Sequence, residues 1–375
     1  MPTHLSFWKA PAKHLLSKQK EEPYMTYDID AQYLVETTRK LIEVDSPVGY
    51  YPEIHAYLKQ LLANMGYSMY TDNKSTAYVH VAGKDSSKTV CLGAHLDTIG
   101  LIVRGFNDDG TLRVRQLGGI NYHSIEGETV RIHCRNGNVV DGQLICNKHS
   151  VHVFADCRET PRDEDHMSIS IIGDVKTAED TRLLGITPGA IVAVDPHFVS
   201  YDNGYLVGRY IDDKAAVAVL LDTLQWMKAT GTKPAFDTVF AFPIFEEIGH
   251  GGSYVPAEIS EYVALDITLL GPDYDGDEHS VGIIVSDARG PYDWELSNQL
   301  IGAAQKVCDE GKWNTQVCFH YSTDASAAYC LGNNMKSAAF GMACLNTHGR
   351  ERCHADALVQ TAKLTRAYVV GEHLA

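Results

Sequence analysis

The feature that most constrains this fold is a change of texture in mid-chain. Up to about residue 100, and again from about 202, apolar runs of strand length alternate with stretches of helical period. Between about Gly105 and Tyr201 the runs are short and alternating instead, as in "TLRVRQLG", "TVRIHCRNG", "VVDGQLI" and "AIVAVD", with Gly, Asn or Asp between them. Helices alternating with strands build an α/β sheet, whereas short, evenly spaced strands between turn residues build a sandwich or barrel. The chain therefore reads as one α/β domain, residues 25–100 and 202–375, interrupted by a small β-rich insertion, 101–201. Residues 1–24 read as a polar N-terminal extension.

Within the α/β part, "DIDAQYLVETTRKLIEVDSPVGYYPEIHAYLKQLLANMGY" places Leu34, Leu41 and Ile42, then Ile54, Leu58, Leu61 and Leu62, at helical spacing. This predicts two helices broken at Ser46-Pro47, the second stopping at Gly66. "STAYVHVAG", "TVCLGAHLD", "TVFAFPIF", "YVALDITLL" and "NMKSAAFGMA" read as strands and "DDKAAVAVLLDTLQWMKATG" as a helix.

Charge and cysteine usage exclude several classes. A formal net charge of −16 argues against a nucleic-acid partner, which needs clustered Lys and Arg. Nine cysteines, none in a C-x-x-C pair, speak against a disulfide framework or zinc ribbon and for reduced thiols in the cytoplasm. The N-terminal stretch lacks the apolar core of a signal peptide, and no later run is long enough to span a bilayer, so no membrane partner is expected.

Several strands end in a side chain able to bind metal. "TVCLGA" leads to His95 and Asp97, "TVFAFPIF" to Glu246 and Glu247, "YVAL" to Asp266 and "AAFGMACLNT" to His348, while Asp212 and Asp213 open a helix. Each has a bland reading alone: a solvated loop end, a charged surface pair, a helix cap. Asp266 sits in an apolar run and needs a partner. Taken jointly, two imidazoles and three carboxylates suit a pair of divalent ions with one carboxylate shared, and the acidic residue left over suits proton transfer.

In order along the chain, "GAHLDTIGLIV", "RYIDDKAAVAVLL", "FPIFEEIGHGGS", "VALDITLLG" and "STDASAAY" resemble the tetrahedral, glutamyl and deblocking aminopeptidases, dinuclear metallo-aminopeptidases. "VKTAEDTRLLGITPGAIVAVDPHF" resembles the stretch returning from that family's inserted domain. The resemblance covers nearly everything from about residue 30. It implies a three-layer α/β/α catalytic domain with a mixed sheet, and a β-barrel-like insertion that serves dimerisation and assembly. It implies two divalent ions per subunit, zinc with cobalt or manganese as alternatives. His95 is then a ligand of one metal, oriented by Asp97, and Asp212 bridges both metals with Asp213 as a cap or supporting group. Glu246 is the general base, Glu247 a ligand, Asp266 completes the first metal's set and His348 the second's. The family's last histidine is followed by Ser or Thr, with a glutamate four positions on. Here "NTHGRERCHADAL" places Glu351 three positions after His348, which leaves His354 as the alternative. Cys344 and Cys353 are soft ligands in principle but more simply buried thiols, and His250 either lines the pocket or fills its loop.

The expected function is removal of N-terminal residues from short peptides by a cytoplasmic homo-oligomer, dimer-based and extending to a tetrahedral dodecamer as in relatives. An amidase, deacylase or deblocking enzyme for small N-acyl peptides is the alternative within hydrolases. A non-catalytic metal-binding scaffold is the alternative from another class.

Overall fold

The computed structural model describes residues 27–374; the expected extension, 1–24, lies outside them. Six main strands lie side by side in the order Ala77–Val81, Phe236–Phe242, Asp85–Gly93, Ile259–Leu265, Lys336–Cys344 and Val281–Asp287. The four from Phe236–Phe242 to Lys336–Cys344 run parallel, and the outer two are antiparallel to their neighbours, so the sheet is mixed. Trp313–Val317 extends it beyond Val281–Asp287.

Period-two alternation along these strands feeds two separate cores. Leu92, Phe240, Val263 and Phe340 face the layer of long helices, Ala31–Ile42, Ile211–Thr230, Trp294–Val307 and Ala355–Val370. Cys91, Val239, Tyr262 and Ala339 face the opposite layer, where the short helix Asp324–Cys330 contributes Ala325 and Ala328. The three layers are thus unequal. Helix Ile211–Thr230 is apolar nearly all round because Ala31–Ile42, Ala355–Val370 and the sheet enclose it. Burial of each such Leu, Val or Phe contributes about 1.5–3 kcal/mol.

The expected helix pair forms as Ala31–Ile42 and Pro52–Asn64, with Pro at the start of the second and Gly66 at φ 81° after its end. One expected strand is two. "YVALDITLL" breaks after Leu265 and resumes at Thr268–Leu269, which pairs further along Lys336–Cys344. The break puts Asp266 at a strand end.

The β-rich stretch closes on itself. Gly100–Phe106, Leu112–Leu117, Met167–Ile171, Val139–Cys146, Thr129–His133 and Ile191–Val194 form a closed barrel of antiparallel neighbours. Leu101, Val114, Ile132, Leu144, Ile169 and Val192 fill it, so it is a packed core. Among the described residues no helix is long and apolar enough to cross a membrane.

Candidate active site

Ligands of open α/β sheets bind beyond the carboxyl ends of parallel strands, and the predicted residues gather there. His95, 3 % exposed, follows Asp85–Gly93. Its Nδ1 is 2.9 Å from the Asp97 carbonyl oxygen, and its Nε2 is 3.2 Å from Asp212 Oδ1 and 3.8 Å from Glu246 Oε2. With Nδ1 turned to a carbonyl, Nε2 is the nitrogen that faces the carboxylates.

The Asp97 carboxylate stands 3.6 Å from that ring and does something else. Its two oxygens accept the N–H groups of Glu246 and Glu247 at 3.1 and 3.2 Å. Those amides open the 3-10 turn Glu246–Ile248 and have no partner within it. The imidazole is therefore oriented mainly by the backbone of Asp97, and the carboxylate holds the acidic turn in place.

Asp212 and Asp213 open helix Ile211–Thr230 without helical dihedrals, their ψ being 103° and 27°, and the peptide between them is cis. Asp213 is fully buried and accepts the His95 N–H at 3.2 Å. Its carboxylate supports the site rather than capping the helix. The Asp212 N–H donates to Glu351 Oε2 at 3.1 Å, which fixes the backbone from which the Asp212 carboxylate projects. Oδ1 lies 3.2 Å from His95 Nε2 and Oδ2 lies 3.9 Å from His348 Nε2. Asp266, 2 % exposed, offers a ligand atom within 4.8 Å of ligand atoms of His95 and Asp213. The Tyr321 hydroxyl is buried beside it.

His348 lies between Lys336–Cys344 and Glu351–His354, with φ at 59°. Its Nε2 is 3.2 Å from Glu247 Oε2, and its Nδ1 is 3.0 Å from the carbonyl oxygen of Gly119 in the barrel. His354 is elsewhere. Its Nε2 is 2.9 Å from the Asn203 carbonyl oxygen, and its Nδ1 accepts the Asp356 N–H at 3.1 Å as the cap of helix Ala355–Val370. Both nitrogens are engaged, so its grouping with His279 and Asp356 is a helix cap whose two imidazole rings lie 4.0 Å apart and tilted by 44°. Cys344 and Cys353 are buried in the core and burial pushes both thiols up, as packed thiols require. His250 is exposed at the loop tip, stacked on Phe245 at 5.1 Å.

Burial dominates the electrostatics. It pushes Asp97 up to about 6 and Asp266 up to about 8, and holds Asp213, Glu246 and Glu351 well above the usual carboxylate range. At His348, burial disfavours the proton, but the hydrogen bond and charge of Glu247 outweigh it and push the ring up to about 10. Crowded, buried carboxylates beside imidazoles that aim their Nε2 atoms among them are the donor set of divalent zinc-like ions, and dications relieve the repulsion that otherwise keeps protons on. The residues present fit divalent ions of this kind.

Several contributors escaped the sequence reading. Lys214 is fully buried and donates to Ser46 Oγ at 2.6 Å and the Leu96 carbonyl at 2.7 Å, steadying the segment between His95 and Asp97. Burial draws its ammonium down to about 7. Asp324, inside the motif "STDASAAY", accepts the Gly252 N–H at 2.5 Å, behind the loop that carries Glu246. A charged residue directly after Asp212-Asp213, and one within an otherwise small-residue run, are the signals that could have marked them.

Residues 75–364 match the family described as M42 glutamyl aminopeptidase. YhfE of Bacillus subtilis (strain 168), a protein assigned as an aminopeptidase, is 34% identical over 336 residues, covering 89% of this chain and 96% of that protein. The glutamyl aminopeptidase of Lactococcus lactis subsp. cremoris (strain MG1363) is 23% identical over 350 residues, 90% of this chain and 96% of that one. Among solved structures, the Pyrococcus horikoshii TET1 peptidase, which can assemble into a tetrahedron or a large octahedral shell, superposes with a TM-score of 0.77 at 21% identity, over 90% of this chain and 99% of that one. On the match of its residues 75–364, this chain is a member of the M42 glutamyl aminopeptidase family.

Proposed function

We propose that the protein is a cytoplasmic, two-metal aminopeptidase that removes N-terminal residues from short peptides, with Glu246 as general base. The observation that carries this reading is the carboxylate of Asp212, whose two oxygens face two different imidazoles, Oδ1 toward His95 and Oδ2 toward His348. A shared carboxylate between two histidine-containing sets is the donor arrangement of a dinuclear hydrolase. His95, Asp212 and Asp266 would hold one ion, and Asp212, Glu247 and His348 the other, with zinc the expected metal and cobalt or manganese the alternatives. The pair supplies Lewis-acid polarisation of the scissile carbonyl and an acidified water.

The chain's own residues do the rest. Glu246 is not among the ligands, and its Oε2 lies on the His95 side of the cluster. It takes a proton from the attacking water and passes it to the leaving amine. Asp97 holds the turn in register, so the base and the ligand Glu247 move as one body. Residues 101–201 serve as the assembly domain, as the family resemblance implies, and enclosure of the sites in a dodecamer would admit only short peptides.

The test is a library of short peptides with matched N-acetylated twins, incubated with the zinc- or cobalt-supplied enzyme and read by mass spectrometry. Loss of single N-terminal residues from the free peptides alone is expected. Cleavage confined to the acetylated twins would move the assignment to deblocking or deacylation. Glu246→Gln should keep its metal while losing on the order of 10²–10⁴ in turnover; full activity in that variant would remove Glu246 from the role.

A further inference from the structure

The inserted barrel reaches the active site itself. Its strand Leu112–Leu117 ends in Gly118-Gly119, and that loop lies directly against two of the residues assigned to the second ion. The Gly119 carbonyl oxygen is 3.0 Å from His348 Nδ1, and the Asn121 N–H donates to the His348 carbonyl oxygen at 3.1 Å. A methyl group on Gly119 would stand 3.0 Å from His348 Nδ1, and one on Gly118 would meet Glu247 backbone and side-chain atoms at 3.3 and 3.4 Å. The barrel backbone therefore grips His348 at its ring and at its carbonyl, and touches Glu247 from the same side.

His348 needs that grip. Its φ of 59° and that of Asn346 at 61° place both in the left-handed region, which non-glycine residues adopt at a cost and keep only when their surroundings impose it. The ring contact also decides which nitrogen is free. With Nδ1 turned to a carbonyl, Nε2 is the nitrogen that faces Glu247 and Asp212 and that an ion would take.

We propose that the Gly118–Asn121 loop of the barrel is a positioning element of the metal centre, which holds His348 in its ligating geometry and thereby sets the affinity of the second ion separately from the first. The proposal rests on the two-ion reading above. Of the ligands that the first set does not share, His95 is supported by Asp97, Asp213 and Lys214, and Asp266 by the Ile267 N–H, all on the sheet domain. Affinity at one position can then change without the other.

Gly119→Ala is the direct test, because Gly119 has no positive φ and the added methyl meets the His348 ring alone. Zn2+ titration by calorimetry, with bound metal counted after dialysis, should show two sites in the unmodified protein. The variant should keep one site unchanged and lose about 10–100-fold in affinity at the other, the usual cost of disturbing a partner behind a metal-bound histidine. Asn121→Pro, which removes the N–H to His348, should act in the same direction, while Asn121→Ala keeps it and should not. Two unchanged sites in both Gly119→Ala and Asn121→Pro, or equal weakening of both sites, would overturn the proposal. A single site in the unmodified protein would instead overturn the two-ion reading beneath it.

Discussion

Asp45 and Arg131 form a two-pronged ion pair across the seam between the sheet domain and the barrel, with Nε and Nη2 of the arginine 2.7 and 2.6 Å from the two carboxylate oxygens. His133 Nε2 lies 2.8 Å from the same carboxylate, and Tyr50 stacks on the His133 ring at 4.1 Å. Because the barrel also holds His348, this seam bears on the metal centre as well as on the shape of the molecule.

Burial alone would raise the Asp45 carboxyl, but Arg131 and His133 outweigh it and bring it down to about 2. A carboxyl lowered on folding stabilises fully above its unfolded value of about 4 and loses that contribution as pH falls toward its folded value. The pair should therefore contribute about 2 kcal/mol at neutral pH, most of it lost between about pH 4 and pH 2. Thermal unfolding of the protein and of Asp45→Asn should differ at pH 7 and converge near pH 2. A gap that stays constant down to pH 2 would show that the carboxylate charge is not what matters.

Asp97 is the second test. Its carboxylate accepts two amides at once, so Asp97→Ala leaves the Glu246 and Glu247 N–H groups without partners and frees the turn to shift. Displacing a catalytic group by about 1 Å can cost on the order of 10² in rate. The variant should lose roughly that much in kcat, with KM little changed, and should also bind the second ion more weakly because Glu247 moves with Glu246. Asp97→Asn keeps one accepting oxygen and should fall between the two. If Asp97→Ala affected only the ion held by His95, the carboxylate would act through the imidazole instead.

Much of this was legible because metal-capable residues ended apolar runs. His95, Glu247 and Asp266 each follow a strand whose β-branched and apolar content is plain in the sequence, and strand ends in a parallel sheet converge. Period-two alternation likewise foretold the barrel strands. What stayed hidden depends on long-range geometry. His348 and His354 could not be separated by spacing, because the left-handed residues Asn346 and His348 turn the chain before Glu351–His354 begins. Gly118-Gly119 reads as an ordinary turn, since nothing local says that a barrel loop will meet a histidine 229 positions away. The dual task of Asp97 was hidden for the same reason, its carboxylate being taken by amides from another strand's loop.

The glycine-rich loop after Glu247 offers the last test. It is held from behind by Asp324, which accepts the Gly252 N–H, and from the side by Lys74, whose ammonium donates to the carbonyls of His250 and Gly251 and to Ser253 Oγ. A methyl on Gly251 would stand 2.5 Å from Asp324 Oδ1, too close for either to stay where it is. Gly251→Ala should therefore push the loop off its seat and lower kcat by roughly 10-fold or more. Asp324→Ala should also lower it, since the orphaned Gly252 amide costs about 1–3 kcal/mol. The combination is decisive, because removing the carboxylate vacates the space that the methyl needs. The double variant should be no slower than the worse single variant, a coupling expected only of groups in contact. Losses that simply multiply would mean that Asp324 and the loop act independently, and that the tip of the loop does not set the position of Glu246.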